Sequence, residues 1–140
     1  MPNFPGQGPL NQFPETETKM YKANGAIAKG DVVGLLVHTG YTGYTVDQTD
    51  GGTIAPIGVA AETAADGAWF QVVVGGYCNY VTNNGTDIVA GDYLVAGAGV
   101  AVPTTTAEIA LTTCTPHLFG QALFAETGTT LTTAIIYKKY

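Results

Sequence analysis

Residues 69–82 read Trp-Phe-Gln-Val-Val-Val-Gly-Gly-Tyr-Cys-Asn-Tyr-Val-Thr. Phe70, Val72 and Val74 fall on one side of an extended chain, with Trp69, Gln71 and Val73 on the other. That period of two is the mark of a half-buried strand. Val and Thr are branched at Cβ and stiff at χ1, so they fit a pleated sheet better than a helix. Gly75-Gly76 interrupts the run and predicts a turn between two strands, 68–75 and 77–82.

Outward from this stretch the same texture continues. Short apolar runs are broken every ten residues or so by turn residues, which predicts further strands near 25–29, 32–39, 43–47, 53–60, 86–89, 92–96, 100–102, 117–125 and 131–138. Leu131, Thr133, Ile135 and Tyr137 alternate again in the last of these. Asn84-Gly85 carries the chemistry of a type I′ hairpin, and Asp50-Gly51-Gly52 and Asp66-Gly67 supply positive-φ positions. No stretch of ten residues has helical spacing; residues 60–68 support one turn at most. The fold class is therefore all-β, an antiparallel sandwich or barrel.

One internal echo bears on architecture. Ile27-Ala28-Lys29-Gly30-Asp31-Val32-Val33 and Ile88-Val89-Ala90-Gly91-Asp92-Tyr93-Leu94 share the order Ile, two residues, Gly-Asp, two apolar residues. Each reads as a tight turn at glycine (Gly30, Gly91) with an aspartate (Asp31, Asp92) accepting backbone N–H bonds before the next strand. Two such units predict two similar halves around one core.

Residues 1–22 are different. Pro2, Pro5, Pro9 and Pro14 are interleaved with Gly, Asn and Gln, a composition that resists helix and ladder alike and reads as an extended arm. Phe4, Leu10 and Phe13 are spaced through it as apolar anchors. The organisation expected is thus an arm over 1–22 and a single β-domain over 23–140. The arm is either a disordered leader or a segment lying on a neighbouring subunit, its prolines lowering the entropy cost of ordering.

The chain has 140 residues, with 5 Lys plus Arg against 11 Asp plus Glu, a formal charge of −6. All five cations are lysine. With no arginine fork to grip phosphate and few scattered lysines, neither nucleic acid nor an anionic membrane is an expected partner. The start lacks the charged and apolar regions of a secretory signal, so synthesis in the cytoplasm is expected. Serine is absent, which removes serine nucleophiles. A Cys–His pair drawn from Cys78 or Cys114 with His38 or His117 has no spacing to support it, and core packing explains both thiols more simply. The histidines and cysteines show no metal-ligand spacing, and Asp47-Gln48-Thr49-Asp50-Gly51 lacks the later glutamate of a calcium loop. No metal, no cofactor and no enzymatic activity are expected.

Aromatic side chains are the remaining candidates. Tyr41, Tyr44, Trp69 and Tyr77 fall in or beside strands and could form a sugar-binding platform. Filling of the core and of rims between subunits is the favoured alternative. A surface built of Thr, Ala, Gly and Asn with so little charge also suits coverage by other subunits.

The order of short motifs adds a resemblance. Gly30-Asp31-Val32-Val33, Ile57-Gly58-Val59-Ala60, Gln71-Val72-Val73-Val74-Gly75-Gly76, Gly91-Asp92-Tyr93-Leu94, Gly99-Val100-Ala101-Val102-Pro103 and Gly120-Gln121-Ala122-Leu123 succeed one another as in the head decoration (cement) proteins of tailed bacteriophages, which the chain resembles over about residues 25–138. The resemblance implies a non-enzymatic β-sandwich or barrel on the outer surface of a virion. Such a protein binds the major capsid protein, commonly as homotrimers at junctions between hexamers, and stabilises the shell. It supplies no catalytic residues. A glycan- or receptor-binding module of a phage fibre or spike is the alternative.

Overall fold

A computed structural model describes residues 15–36, 43–104, 117–127 and 130–138. Among these residues there are nine strands and no α-helix. They are β1 (Glu17–Ala23), β2 (Val32–Leu35), β3 (Thr45–Gln48), β4 (Pro56–Ala60), β5 (Trp69–Thr82), β6 (Tyr93–Ala96), β7 (Ala101–Thr104), β8 (Leu118–Ala122) and β9 (Leu131–Ile136). The chain is all-β, as its period-two patterns predict.

The strand order β1-β3-β2-β4-β5 closes on itself, because β5 also pairs with β1. This is a five-stranded barrel. Neighbouring strands cannot alternate in direction all the way round a ring of odd number, so at least one pair must run parallel. Here it is β1 with β3, where Lys22 lies opposite Thr45 and Ala23 opposite Val46. An antiparallel sandwich or barrel was the sequence-based expectation; the barrel is present, with its other pairs antiparallel and this one seam parallel because an odd ring closes.

Beyond Gly76, β5 leaves β1 and pairs with β9, and the order β5-β9-β8-β6-β7 follows. This second half repeats the first. The Gly30 N–H donates to the Ala60 carbonyl at 2.8 Å and the Gly91 N–H to that of Ala122 at 2.9 Å. Ile27 bridges Ala64 as Ile88 bridges Glu126. The Ala61 N–H reaches the Gln71 carbonyl at 2.9 Å, and the Leu123 N–H reaches that of Thr133 at 3.0 Å. Even the parallel closure recurs, reduced to a bridge between Asn83 and Ala101. The Gly-Asp echo thus belongs to two whole supersecondary units that share one long strand.

Each unit has its own apolar interior. The first contains Tyr21, Ile27, Val33, Val46, Ile57, Phe70 and Val72. The second contains Val81, Ile88, Leu94, Phe119, Ala134 and Ile136, together with Val32, Val59 and Val73 from the outer wall of the first. Burying Phe70 or Phe119 contributes roughly 1.5–3 kcal/mol by area alone. Two interiors therefore replace the one core expected. Val73 explains the arrangement, since the face it shares with Trp69 and Gln71 is covered there by the second unit.

Several local expectations change as well. Residues 17–22, read as part of the arm, form most of β1, with Tyr21 and Ala23 buried and Lys19, Met20 and Lys22 exposed. Lys19 and Lys22 on either side of Met20-Tyr21 hid that alternation. Gly75-Gly76 is not a turn but the middle of β5, where Gly76 takes φ +84°. A Cβ at Gly76 would stand 1.9 Å from the Glu15 carbonyl oxygen, so only glycine fits. Residues 25–29 and 86–89 form isolated bridges rather than strands. Asn84-Gly85 is not a type I′ turn, because Gly85 has positive φ and Asn84 does not. Asn83 and Asn84 instead accept the Gly85 and Thr86 N–H groups at 2.7 and 3.1 Å. In β9 the buried set is Thr132, Ala134 and Ile136, while Leu131 is exposed.

Candidate functional site

The two Gly-Asp turns show what identical local chemistry does in different surroundings. Each aspartate carboxylate accepts the N–H three residues back, Ala28 to Asp31 at 2.8 Å and Val89 to Asp92 at 2.9 Å. Asp31 is buried and also accepts from Gln48 Nε2 at 2.5 Å. Gly30 and Gly91 have φ of +94° and +91°. Gly30 packs against the second unit: its carbonyl accepts the Thr82 N–H at 3.0 Å, and a Cβ there would lie 2.5 Å from the Tyr80 carbonyl oxygen. A Cβ at Gly91 would meet nothing within 4 Å among the described residues. Both aspartates thus have backbone partners that account for their placement.

The units are fastened to each other by backbone. The turn between β6 and β7 lays Gly99 against β2, so that the Val32 N–H donates to its carbonyl at 3.0 Å. Thr49 Oγ1 donates to the Gly97 carbonyl at 2.6 Å and accepts the Gly99 N–H at 3.2 Å. These glycines form a turn with close backbone approach and no helix behind it.

Of the side chains considered for nucleophilic chemistry, Cys78 and His117 lie among the described residues. Cys78 is buried in the second interior, and burial pushes its thiol up, away from the thiolate that a nucleophile needs. Lys29 Nζ stands 4.6 Å from the Tyr80 ring centroid, a cation–π contact that also ties the first unit to β5. Asp50 is held well below the usual carboxylate range by the N–H groups of Ile54 and Gly52 and the Thr53 hydroxyl; it caps its own loop. Among the described residues no group of three or more His, Cys, Asp or Glu is placed to hold a metal ion. His38, Cys114, Tyr41 and the anchors Phe4, Leu10 and Phe13 lie outside the described residues.

The aromatic candidates separate. Tyr77 is half-buried on β5. Tyr44 and Trp69 come together on the outer face of the first barrel, their ring centroids 4.9 Å apart at an interplanar angle of 36°. They do not fill the core: Trp69 is 51% exposed and Tyr44 44%. The register explains the meeting. Trp69 opens β5 directly opposite Lys22 of β1, and the Lys22 N–H donates to the Tyr44 carbonyl at 2.8 Å where β3 begins. Met20 lies opposite Gln71 on the same outward face and is 51% exposed. Lys22 and Gln71 are exposed too, and the Gln71 N–H is held by the Glu62 carboxylate at 2.9 Å. The result is an apolar ledge of two rings and a thioether with an ammonium and an amide beside it. Met20 was missed in the sequence because it sat in the stretch read as arm. Thr18, Met20 and Lys22 against Tyr21 and Ala23 was the available signal.

The second unit offers a counterpart. The matching hydrogen bonds of Gln71 and Thr133 place Leu131 where the first unit has Trp69, and Phe124 where it has Glu62. Leu131 and Phe124 are likewise exposed.

The fold defines a class, two small five-stranded units in tandem sharing a strand. Among solved structures the chain is similar to the head fiber gp8.5 N base in bacteriophage phi29, with a TM-score of 0.57 and 20% identity over 88% of this chain and 95% of that one. At that identity the likeness is one of fold. No protein-family model matches the chain, and no curated protein does.

Proposed function

We propose that this chain is a non-enzymatic structural protein of a phage virion. In this reading it is a decoration (cement) protein that binds the outer capsid surface and bridges subunits of the major capsid protein, as a trimer. The observation that carries the reading is the fold likeness to a phage head fiber base along nearly that chain's full length. The order of Gly-Asp and Gly-apolar motifs supports it from the sequence side.

The physical mechanism is additive. Each copy contributes modest contact area to several shell subunits, and internal pressure must break those bridges together, so avidity rather than one tight contact reinforces the shell. Equivalent patches repeated about an axis close into a ring. The anchors Phe4, Leu10 and Phe13 would supply the apolar part of the attachment, with arm prolines limiting the entropy lost on ordering.

The test mixes the purified chain with expanded phage shells lacking it and measures copies bound and the pressure or temperature at which shells rupture. Binding with delayed rupture is expected, and sedimentation of the free chain at three times the monomer mass. A chain that ignores shells refutes the reading. Phe4→Ala, Leu10→Ala and Phe13→Ala combined should lower occupancy; undiminished occupancy would remove the arm from the mechanism.

A further inference from the structure

We infer that the ledge formed by Tyr44 and Trp69, with Met20, Lys22 and Gln71 around it, binds the ring of a neutral hexopyranose within an oligosaccharide. The inference is independent of the virion reading, since it concerns the free protein.

The shape of the surface comes first. Two half-exposed rings stand 4.9 Å apart, tilted by 36°, where β1 meets both β3 and β5. A pyranose is amphipathic. One face presents C–H groups, which are drawn to the negative π-face of an aromatic ring, and its edge presents hydroxyls. Lys22 stands opposite Trp69 in the β1–β5 ladder and supplies an ammonium with three donors. Gln71 follows two residues along the same face and supplies an amide that both donates and accepts. Polar groups thus flank the rings on the ladder, as a stacked sugar with equatorial hydroxyls requires.

Size argues for a small ligand rather than a protein. Half-exposed rings and a thioether present on the order of 300 Å² of side-chain surface. A stable protein interface covers about 800 Å² on each partner. Charge narrows the class further. The chain carries −6 overall, so polyanionic glycans are repelled at a distance, and a single lysine serves to orient a neutral sugar.

The repeat provides an internal control. The second unit has the same fold and places Leu131, without a π-face, at the position of Trp69, so the tryptophan that heads the ledge has no aromatic equivalent at that position.

Trp69 is the single tryptophan, which makes its emission a direct reporter. Chitotriose and cellotriose are titrated into the full-length chain, with glycerol as the blank, while Trp69 emission and its indole N–H resonance are followed. A saturable change with either sugar, half-complete below about 10 mM, is expected for a weak single-ring site. Trp69→Ala and Tyr44→Ala should weaken binding at least tenfold, read for the tryptophan variant by the resonances of Tyr44 and Lys22. Lys22→Ala should weaken it severalfold, and Leu131→Ala should leave it unchanged. Absence of a saturable response to both sugars overturns the inference, as does binding that survives Trp69→Ala. If the sugars leave Trp69 untouched while Trp69→Ala lowers occupancy of phage shells, the ledge is a capsid contact and the inference is wrong. Loss of shell binding with sugar binding intact would instead overturn the virion reading alone.

Discussion

Replacing Gly30 and Gly91 by alanine, one at a time, separates two costs that usually come together. Both glycines occupy the left-handed region, at φ +94° and +91°. Alanine there pays about 1–2 kcal/mol for the clash of its Cβ with the carbonyl, in either position. It also gains about 0.4–1 kcal/mol by stiffening the unfolded chain, again in either position. The turns differ in what surrounds them. The new methyl at 30 would lie 2.5 Å from the Tyr80 carbonyl oxygen and 2.8 Å from Thr82 Oγ1. The hydroxyl can rotate away, but the carbonyl belongs to β5 and moves only with the strand. Overpacking of that kind adds about 1–3 kcal/mol. Among the described residues nothing stands within 4 Å of the methyl at 91.

Gly91→Ala should therefore cost at most about 1–2 kcal/mol, and Gly30→Ala about 1–3 kcal/mol beyond that. Urea unfolding followed by far-UV circular dichroism measures both. With a slope of about 1–3 kcal/mol per molar, typical of small proteins, the two midpoints should differ by roughly 1 M. Equal losses within about 0.5 kcal/mol would refute the claim that the first Gly-Asp turn is wedged against the second unit, because such a spread is what distant surface sites show. A larger loss for Gly91→Ala would refute it more strongly.

Asp31→Ala leaves the Ala28 N–H and the Gln48 amide without their buried acceptor and should cost about 1–3 kcal/mol, against about 0.5–1 kcal/mol for Asp92→Ala, by the same unfolding assay. Asp50 has a folded-state pKa below its unfolded value, so its stabilisation is present above the ordinary carboxylate range and is lost as pH falls. Wild type should exceed Asp50→Asn in stability at pH 7, and the gap should close as pH drops below about 4, measured by thermal unfolding across pH. Phe70→Ala and Phe119→Ala each empty a different interior and should each cost about 3–5 kcal/mol. Both should still unfold in one transition, because β5 belongs to both units; two resolved transitions in calorimetry would show that they melt separately. Trp69→Ala should cost at least about 0.5–1.5 kcal/mol by the same unfolding assay, since its half-exposed ring packs on Tyr44.

The strand content was legible because Val, Thr and alternating aromatics fit a pleat in any tertiary setting. The Gly30-Asp31 and Gly91-Asp92 turns were legible for the same reason, their chemistry being complete within four residues. Closure was not. Whether β1 pairs with β3 depends on residues more than twenty positions apart, and no local pattern announces a parallel seam. Gly75-Gly76 misled because a paired glycine looks like a turn wherever it occurs; its cause here is the nearness of Glu15, a contact from outside the strand. The ring ledge was half visible. Tyr44 and Trp69 could be named from sequence, but their pairing and exposure arise only when β1 brings Lys22 between their backbones, and Met20 stayed hidden in a segment dominated by its proline-rich start.

Glu17 lies opposite Gly75 and Ile136 opposite Gly76, and Lys138 Nζ reaches the Glu17 carboxylate at 3.0 Å. The points where the described chain enters and leaves are therefore neighbours at the seam between the two units. A pull transmitted through both flanking segments meets the molecule where the two units join, and tension is shared by the β1–β5 and β9–β5 ladders at once. Cutting the Glu17–Lys138 clasp would let the two leashes part before any strand is peeled.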